Sequence, residues 1–258
     1  MNRIHSSAKS IADNASENLH IESALFTPPT QDTTRALFTP LHYEPNYAYP
    51  LLVWLHAPGE TDERQLLRIM PQVSLRNYVA VAPRGLPLDD AAGVPAYGWP
   101  QSPECIEEAE HRVFESIEAA RRTCRIADHR VFLAGFDAGG TMAFRIAMNG
   151  PSHFAGVLSI GGAFPTGHTP FGRLAQARKL PVFLAVGRDG AEYSPALACE
   201  DLRLFHTAGM SVALRQYPCG HQLTPHMLRD VDRWIIEQIT TPGGSQADAD
   251  HPRSCSSD

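Results

Sequence analysis

The sequence predicts an α/β fold: a single, mostly parallel sheet with helices on both faces. Two observations carry this expectation. Short apolar runs, Pro50–His56, Tyr78–Ala82, Val131–Ala134, Phe154–Ile160 and Pro181–Val186, alternate with segments of helical periodicity. That is the pattern of βαβ units, whose parallel strands are buried on both faces. The second observation is Gly135-Phe136-Asp137-Ala138-Gly139, set between the apolar run Val131–Ala134 and the helix-like run Thr141–Asn149. A strand that enters such a turn and leaves as a helix must bend sharply. Any Cβ on the flanking glycines would collide with strand or helix, and the central residue holds a strained backbone.

Taken in order, the first 32 residues are rich in Ser, Asn, Thr and Asp and end near Pro28-Pro29; they read as a flexible extension. Ala24-Leu25-Phe26-Thr27-Pro28 recurs as Ala36-Leu37-Phe38-Thr39-Pro40, two copies being too few for a repeat architecture. The folded domain is expected over 33–240. Arg35–His42 reads as an antiparallel edge strand, and Pro50–His56 as a strand running into His56-Ala57-Pro58-Gly59. Asp62–Leu75 has helical spacing, and Tyr78–Ala82 is a strand closed by Pro83-Arg84-Gly85. Leu86–Pro103 reads as a Pro/Gly-rich loop holding Tyr97 and Trp99. Glu104–Thr123 is helical, with Ile106, Val113, Ile117 and Ala120 on one side. After the elbow come the strand Phe154–Ile160, a loop over Gly161–Pro170, the strand Pro181–Val186, the helix Pro195–Ala208, the strand Ser211–Tyr217 and a last helix, Leu223–Ile239. Residues 241–258 are Gly-, Ser- and Asp-rich and are expected to be disordered.

Composition narrows the function classes. The 258 residues carry a formal charge of -6, which gives no basic footprint for nucleic acid. No apolar run approaches the ~18 residues that span a bilayer. Met1–Leu19 lacks the apolar centre of a secretory leader, so the expectation is a cytoplasmic protein. The five cysteines, Cys105, Cys124, Cys199, Cys219 and Cys255, are an odd number with no C-x-x-C pair, as isolated thiols of a reducing compartment would be. No H-E-x-x-H or equivalent spacing suggests a metal.

In open parallel sheets the site lies beyond the carboxyl ends of the strands. Candidate residues fall there in the order Asp137, an acid after Val186, and His221. His221, in Cys219-Gly220-His221, follows a strand and precedes a helix, and imidazole is the natural base near neutral pH. The acid comes from Gly187-Arg188-Asp189-Gly190-Ala191-Glu192: Asp189 first, Glu192 second, against the plain alternative of an exposed turn. Tyr97 and Trp99 either line the pocket mouth or plug the loop against the core.

The strand–G-x-x-x-G–helix elbow, Pro50–Gly59 and Gly220-His221 together resemble the α/β-hydrolase phospholipase/carboxylesterase group, acyl-protein thioesterase-like and near the dienelactone hydrolases, over roughly Arg35 to Ile239. The resemblance implies hydrolysis of a small carboxylic ester or thioester without a cofactor. A serine attacks, a histidine takes its proton, an acid orients the histidine, and two backbone N–H groups hold the oxyanion. This chain departs from that pattern three times. Asp137 stands in the serine position. Pro58 stands where the H-G-x-G loop normally donates an oxyanion N–H, and proline has none; the N–H of Ala138 remains, with Gly59 beside the loop. The usual acid position is Gly190, one residue past Asp189. Three functions stay open on these residues: an ester or thioester hydrolase with an altered nucleophile site, an inactive relative that binds a ligand or partner, and a hydrolase whose Asp137 attacks a saturated carbon.

Overall fold

The computed structural model describes residues 35–59, 63–88, 96–167 and 172–241. The expected N-terminal extension, the first copy of the Ala-Leu-Phe-Thr-Pro echo, Cys255 and nearly all of the expected C-terminal tail lie outside them. Seven strands form one sheet: β1 (Arg35–Phe38), β2 (Tyr49–Leu55), β3 (Val79–Pro83), β6 (Ile126–Phe136), β7 (Gly156–Ile160), β8 (Val182–Gly187) and β9 (Val212–Tyr217). Their order is β1-β3-β2-β6-β7-β8-β9. Only β1 runs antiparallel, pairing with β3 in the register Ala36↔Ala82; every other neighbour is parallel. This is the mostly parallel sheet expected from the alternation of runs, in the α/β-hydrolase arrangement that the resemblance implies.

Side chains on a strand alternate between faces, and the core divides accordingly. Leu51, Val53 and Leu55 face α2 (Pro103–Thr123), α3 (Ala138–Asn149) and α5 (Pro195–Ala208). Leu52 and Trp54 face α1 (Gln65–Val73) and α6 (Pro225–Thr240). The Trp54 indole N–H is buried on that second face and donates to Gln65 Oε1 at 2.8 Å. Helix starts carry the expected caps: Ser102, Ser194 and Thr224 each accept a backbone N–H at the opening of a helix whose first residue is proline.

The loop expected over Leu86–Pro103 contains a small hairpin, β4 (Leu86–Leu88) paired with β5 (Ala96–Gly98). Three-residue strands interrupted by Pro87 carry too short an alternation to be read in sequence. A four-residue helix, α4 (Leu174–Ala177), was likewise not expected. The hairpin is drawn against the end of β2 by a bridge from Gly59 N–H to Tyr97 O, 3.1 Å.

A buried ion pair fixes the same corner. Glu63, at the approach to α1, is 3% exposed, and Arg84, just past β3, is 26% exposed. Arg84 donates from Nε to Oε2 at 2.8 Å and from Nη2 to Oε1 at 2.5 Å, and its guanidinium lies 4.9 Å from the Tyr97 ring centre. Burial alone would raise the Glu63 pKa, but the hydrogen bonds and charge of Arg84 outweigh it and leave the carboxyl lowered. A carboxyl whose folded pKa is depressed stabilises fully above its unfolded value and loses that contribution as pH falls through the folded one. Glu63→Gln is therefore expected to cost about 3 kcal/mol at pH 7, the low end for breaking a buried pair because Arg84 is partly solvated. Urea titrations in acid should show the wild type converging on the variant below the ordinary glutamate range.

Candidate active site

The turn between β6 and α3 is built on absent side chains. A Cβ on Gly135 would overlap the Gly139 carbonyl, and one on Gly139 would overlap the carbonyls of Leu55 and His56. The helix start can therefore lie directly over the end of β2. Asp137 sits at the apex with φ 56 and ψ -127, a positive φ that an L-residue keeps only when its surroundings impose it. Here Asp137 N–H donates to Ile160 O at 2.9 Å, and its carbonyl accepts from Gly140 and Thr141 at 2.8 and 3.1 Å. The side chain, left free of capping duty, is one-third exposed toward the cleft.

His221 meets it there. Its Nε2 is 3.3 Å from Asp137 Oδ1, yet Nε2 is buried without an aligned hydrogen-bond partner. The distance is that of close contact and the angle is not that of a hydrogen bond. The ring stacks on Phe136 at 5.1 Å between centres. Its other face lies against Gly161, where a Cβ would come within 3.0 Å of Cε1. Phe136 and Gly161 were not singled out from sequence. Phe136 is the variable residue of the G-x-D-x-G turn, and nothing in its spacing says that an imidazole will cover it.

Nδ1 of His221 faces Glu192, with Oε2 at 3.9 Å. Asp189, the first choice from sequence, turns outward and pairs with Arg188 at 3.1 Å, its side chain 59% exposed. Its backbone explains the direction: Asp189 N–H is held by Cys219 O at 2.9 Å and Arg188 N–H by Tyr217 O at 2.8 Å. These bonds extend the β8–β9 ladder and commit the loop before it turns back at Gly190. The structure thus brings Asp137, His221 and Glu192 together and leaves Asp189 outside. The two carboxylates lie beside opposite ring nitrogens, so the three groups do not converge on one point as metal ligands would.

The loop from His56 to Gly59 is held from below. His56 is fully buried; its Nε2 accepts from Gly85 N–H at 2.9 Å. Nδ1, 2.6 Å from Ala57 O, must then be the protonated nitrogen. Trp99, expected at the pocket mouth or as a plug, is 3% exposed and donates from Nε1 to His56 O at 2.8 Å. It is a bolt under the loop and does not line the cleft. Pro58 and Gly59 continue that loop, with Gly59 at φ 89. Ala138 is the first residue of α3, where backbone N–H groups have no partner within the helix and the helix dipole favours negative charge.

The cleft above these groups has a volume of about 240 Å³ and is lined by Gln101, Asp137, Ala138, Thr141, Gly161–Ala163, Glu192 and Tyr193. Asp201 ties two of its walls, accepting at one oxygen from Phe164 N–H and from Tyr193 O–H, both at 2.8 Å. A larger groove, about 500 Å³, lies at the opposite end of the sheet among Asp128–Arg130, Pro151–Ala155 and Lys179–Pro181, far from the elbow. Cys219, close to His221 in sequence, is a free thiol. Burial and then the charge of Asp189 push its pKa up, away from the thiolate a nucleophile needs.

Gly220 stands beside His221, but the glycine that the close backbone approach here requires is Gly187. A Cβ on Gly187 would overlap the Gly220 carbonyl, whereas one on Gly220 would meet nothing nearer than Asp189 O at 3.9 Å. Gly187→Ala is accordingly expected to cost about 3 kcal/mol through overpacking, and Gly220→Ala less than about 1 kcal/mol. Thermal unfolding of the two variants side by side checks the contrast.

Comparison with known proteins agrees with the fold. The chain is 25% identical over 221 residues to a protein of Oryza sativa subsp. japonica described as a probable carboxylesterase, covering 76% of this chain and 91% of the relative. Among solved structures it is similar to the Bacillus cereus carboxylesterase, with a TM-score of 0.64 and 20% identity over 86% of this chain and 99% of that one. Zea mays acyl-protein thioesterase 2 gives a TM-score of 0.64 at 16% identity, covering 80% and 99% of the two chains; at such identities the likeness is one of fold. Residues 48–239 match the phospholipase/carboxylesterase family of α/β-hydrolases, and the chain belongs to that family.

Proposed function

We propose that this protein hydrolyses a small carboxylic ester or thioester by direct attack of water, with Asp137, His221 and Glu192 in place of a serine triad. The observation that carries the reading is the pairing of Asp137 Oδ1, which lines the cleft, with a desolvated His221 Nε2 at 3.3 Å just behind it. A carboxylate that attacked an ester would form an anhydride, a poor intermediate. A water held at Oδ1 on the cleft side, within reach of the substrate carbonyl, avoids it; Nε2 of His221, buried against Asp137 at rest, meets that water when the ring turns from the carboxylate. His221, with its proton on Nδ1 toward Glu192, takes a proton from that water at Nε2. Asp137 accepts the other hydrogen and aligns the oxygen for addition. The oxyanion forms beside Ala138 N–H, at the positive end of α3. Its collapse expels the alkoxide or thiolate, which takes the proton back from His221, and Glu192 offsets the transient imidazolium charge.

Two features make this a slow hydrolase. Pro58 supplies no second oxyanion donor, a loss of about 3 kcal/mol of transition-state binding. The Asp137 carboxylate also puts a negative charge near the developing oxyanion. The expected outcome with a short-chain p-nitrophenyl ester is weak turnover that Asp137→Ala and His221→Gln each lower by about 100-fold or more. Asp137→Ser should restore serine chemistry, with faster turnover and fluorophosphonate labelling at residue 137. Wild-type rates in Asp137→Ala and His221→Gln would overturn the reading, and so would a wild type no faster than buffer; the second result favours a family member that binds without catalysis.

A second reading rests on the exposure of the same carboxylate. Asp137 is one-third open to the cleft, and a carboxylate is a competent nucleophile at a saturated carbon bearing a leaving group. Attack there would leave an alkyl ester on Asp137 that water hydrolyses with His221 as base. In His221→Gln the ester would persist, and the mass of the adduct on the peptide carrying Asp137 would separate this reading from the first.

A further inference from the structure

Arg145 on α3 is a cation 8% exposed, and its partners are neutral. Nη1 and Nη2 donate to Gly167 O and Thr166 O at 3.2 and 2.9 Å, and Nε donates to Gln101 Oε1 at 2.6 Å. Burial lowers its pKa, with no carboxylate among these partners to offset the cost. The guanidinium has only donors, so the end of the Gln101 amide that meets it must be the oxygen. The nitrogen end then points the other way, and one of its hydrogens goes to Trp99 O at 2.8 Å. The second Nε2 hydrogen has no partner among the described residues, and Gln101 lines the cleft together with Asp137 and Ala138. Arg145 and Trp99 hold the amide from both ends, so its orientation is fixed before any ligand enters.

We propose that Gln101 is a specificity-determining residue that donates this N–H to an oxygen acceptor on the substrate, so that the preferred esters or thioesters carry an ether, keto or hydroxyl oxygen and not a plain alkyl chain. The inference rests on the hydrolytic reading of the cleft. The other lining supports it. Gly161, Gly162 and Ala163 are small, Thr141 is polar with its hydroxyl hydrogen given to Ala163 O at 2.9 Å, and among the described lining residues the only ring is Tyr193. Among the described residues this lining has no long apolar channel for a fatty chain. An acceptor that meets a fixed donor loses less entropy than one that must order its partner.

The test uses an isosteric pair, the methoxyacetyl and butyryl groups, which differ by one ether oxygen in place of a methylene. Binding of their unreactive 4-nitroanilides to the wild type by calorimetry should favour methoxyacetyl by about tenfold, the worth of one neutral hydrogen bond. Gln101→Leu should bind the two alike. Gln101→Glu keeps an acceptor for Arg145 but has no N–H, so it should remain folded by circular dichroism and still lose the preference. An equal affinity of both anilides for the wild type, or a preference that survives in both variants, would overturn the proposal. The matching p-nitrophenyl esters, corrected for their rates with hydroxide, report separately on hydrolysis: a binding preference without turnover leaves Gln101 in its role and sinks the catalytic reading alone.

Discussion

The close contact between the start of α3 and the end of β2 is the constraint on which the site depends. Helix and strand meet backbone to backbone because Gly139 has no Cβ to hold them apart. The same contact forces the positive φ of Asp137 and aims the first amides of the helix into the cleft. Gly140 repeats the device one residue later, resting on Ser159 of β7. Ser159 is fully buried and gives its hydroxyl hydrogen to Gly162 O at 2.7 Å. One short stretch of glycines thus sets the position of the central residue, the floor of the cleft and the loop that faces the imidazole. Strain of this kind persists only where the surrounding packing over-determines it, and here three neighbouring strands supply that packing.

Much of this was legible in the sequence because backbone requirements leave residue-specific marks. The elbow could be read from Gly135, Gly139 and Gly140, and the parallel sheet from runs such as Leu51–Leu55, whose residues are all fully buried. His221 could be placed by its position after the last strand. What escaped was set by contacts distant in the chain. The choice between Asp189 and Glu192 depends on where the β8–β9 ladder ends, and the bonds of Arg188 and Asp189 to Tyr217 and Cys219 have no signature in the loop itself. Trp99 presented the same difficulty: an aromatic residue in a loop becomes a wall or a bolt according to which carbonyl its N–H reaches, here that of His56. The hairpin β4–β5 was invisible because its pairing is anchored from outside, by Gly59 and by the stacking of Tyr97 on Arg84.

Asp137 and Pro58 suit one another. An oxyanion hole with two donors serves an intermediate built next to a neutral serine. A carboxylate at that place already supplies negative charge, and each further anion formed nearby must be stabilised against it. The scaffold beneath the loop is nevertheless fully kept. His56 uses both ring nitrogens, Gly85 and Trp99 fasten the chain on either side of it, and the Glu63–Arg84 pair closes the corner. The loop that carries Pro58 is thus braced from below, and at residue 58 it presents a ring and no N–H.

Asp201 gives the cleft a mechanical property that its shape does not reveal. Phe164 N–H and Tyr193 O–H converge on the same carboxylate oxygen, one from the loop after β7 and the other from the loop that carries Glu192. Each loop that withdrew would give up its own bond to this partly buried carboxylate, so both walls are tied to the one helix that carries Asp201. Gln101, elsewhere in the lining, is held just as firmly between Arg145 and Trp99. A cleft braced at both places would be exacting about substrate girth as well as about the distance between Glu192 and His221.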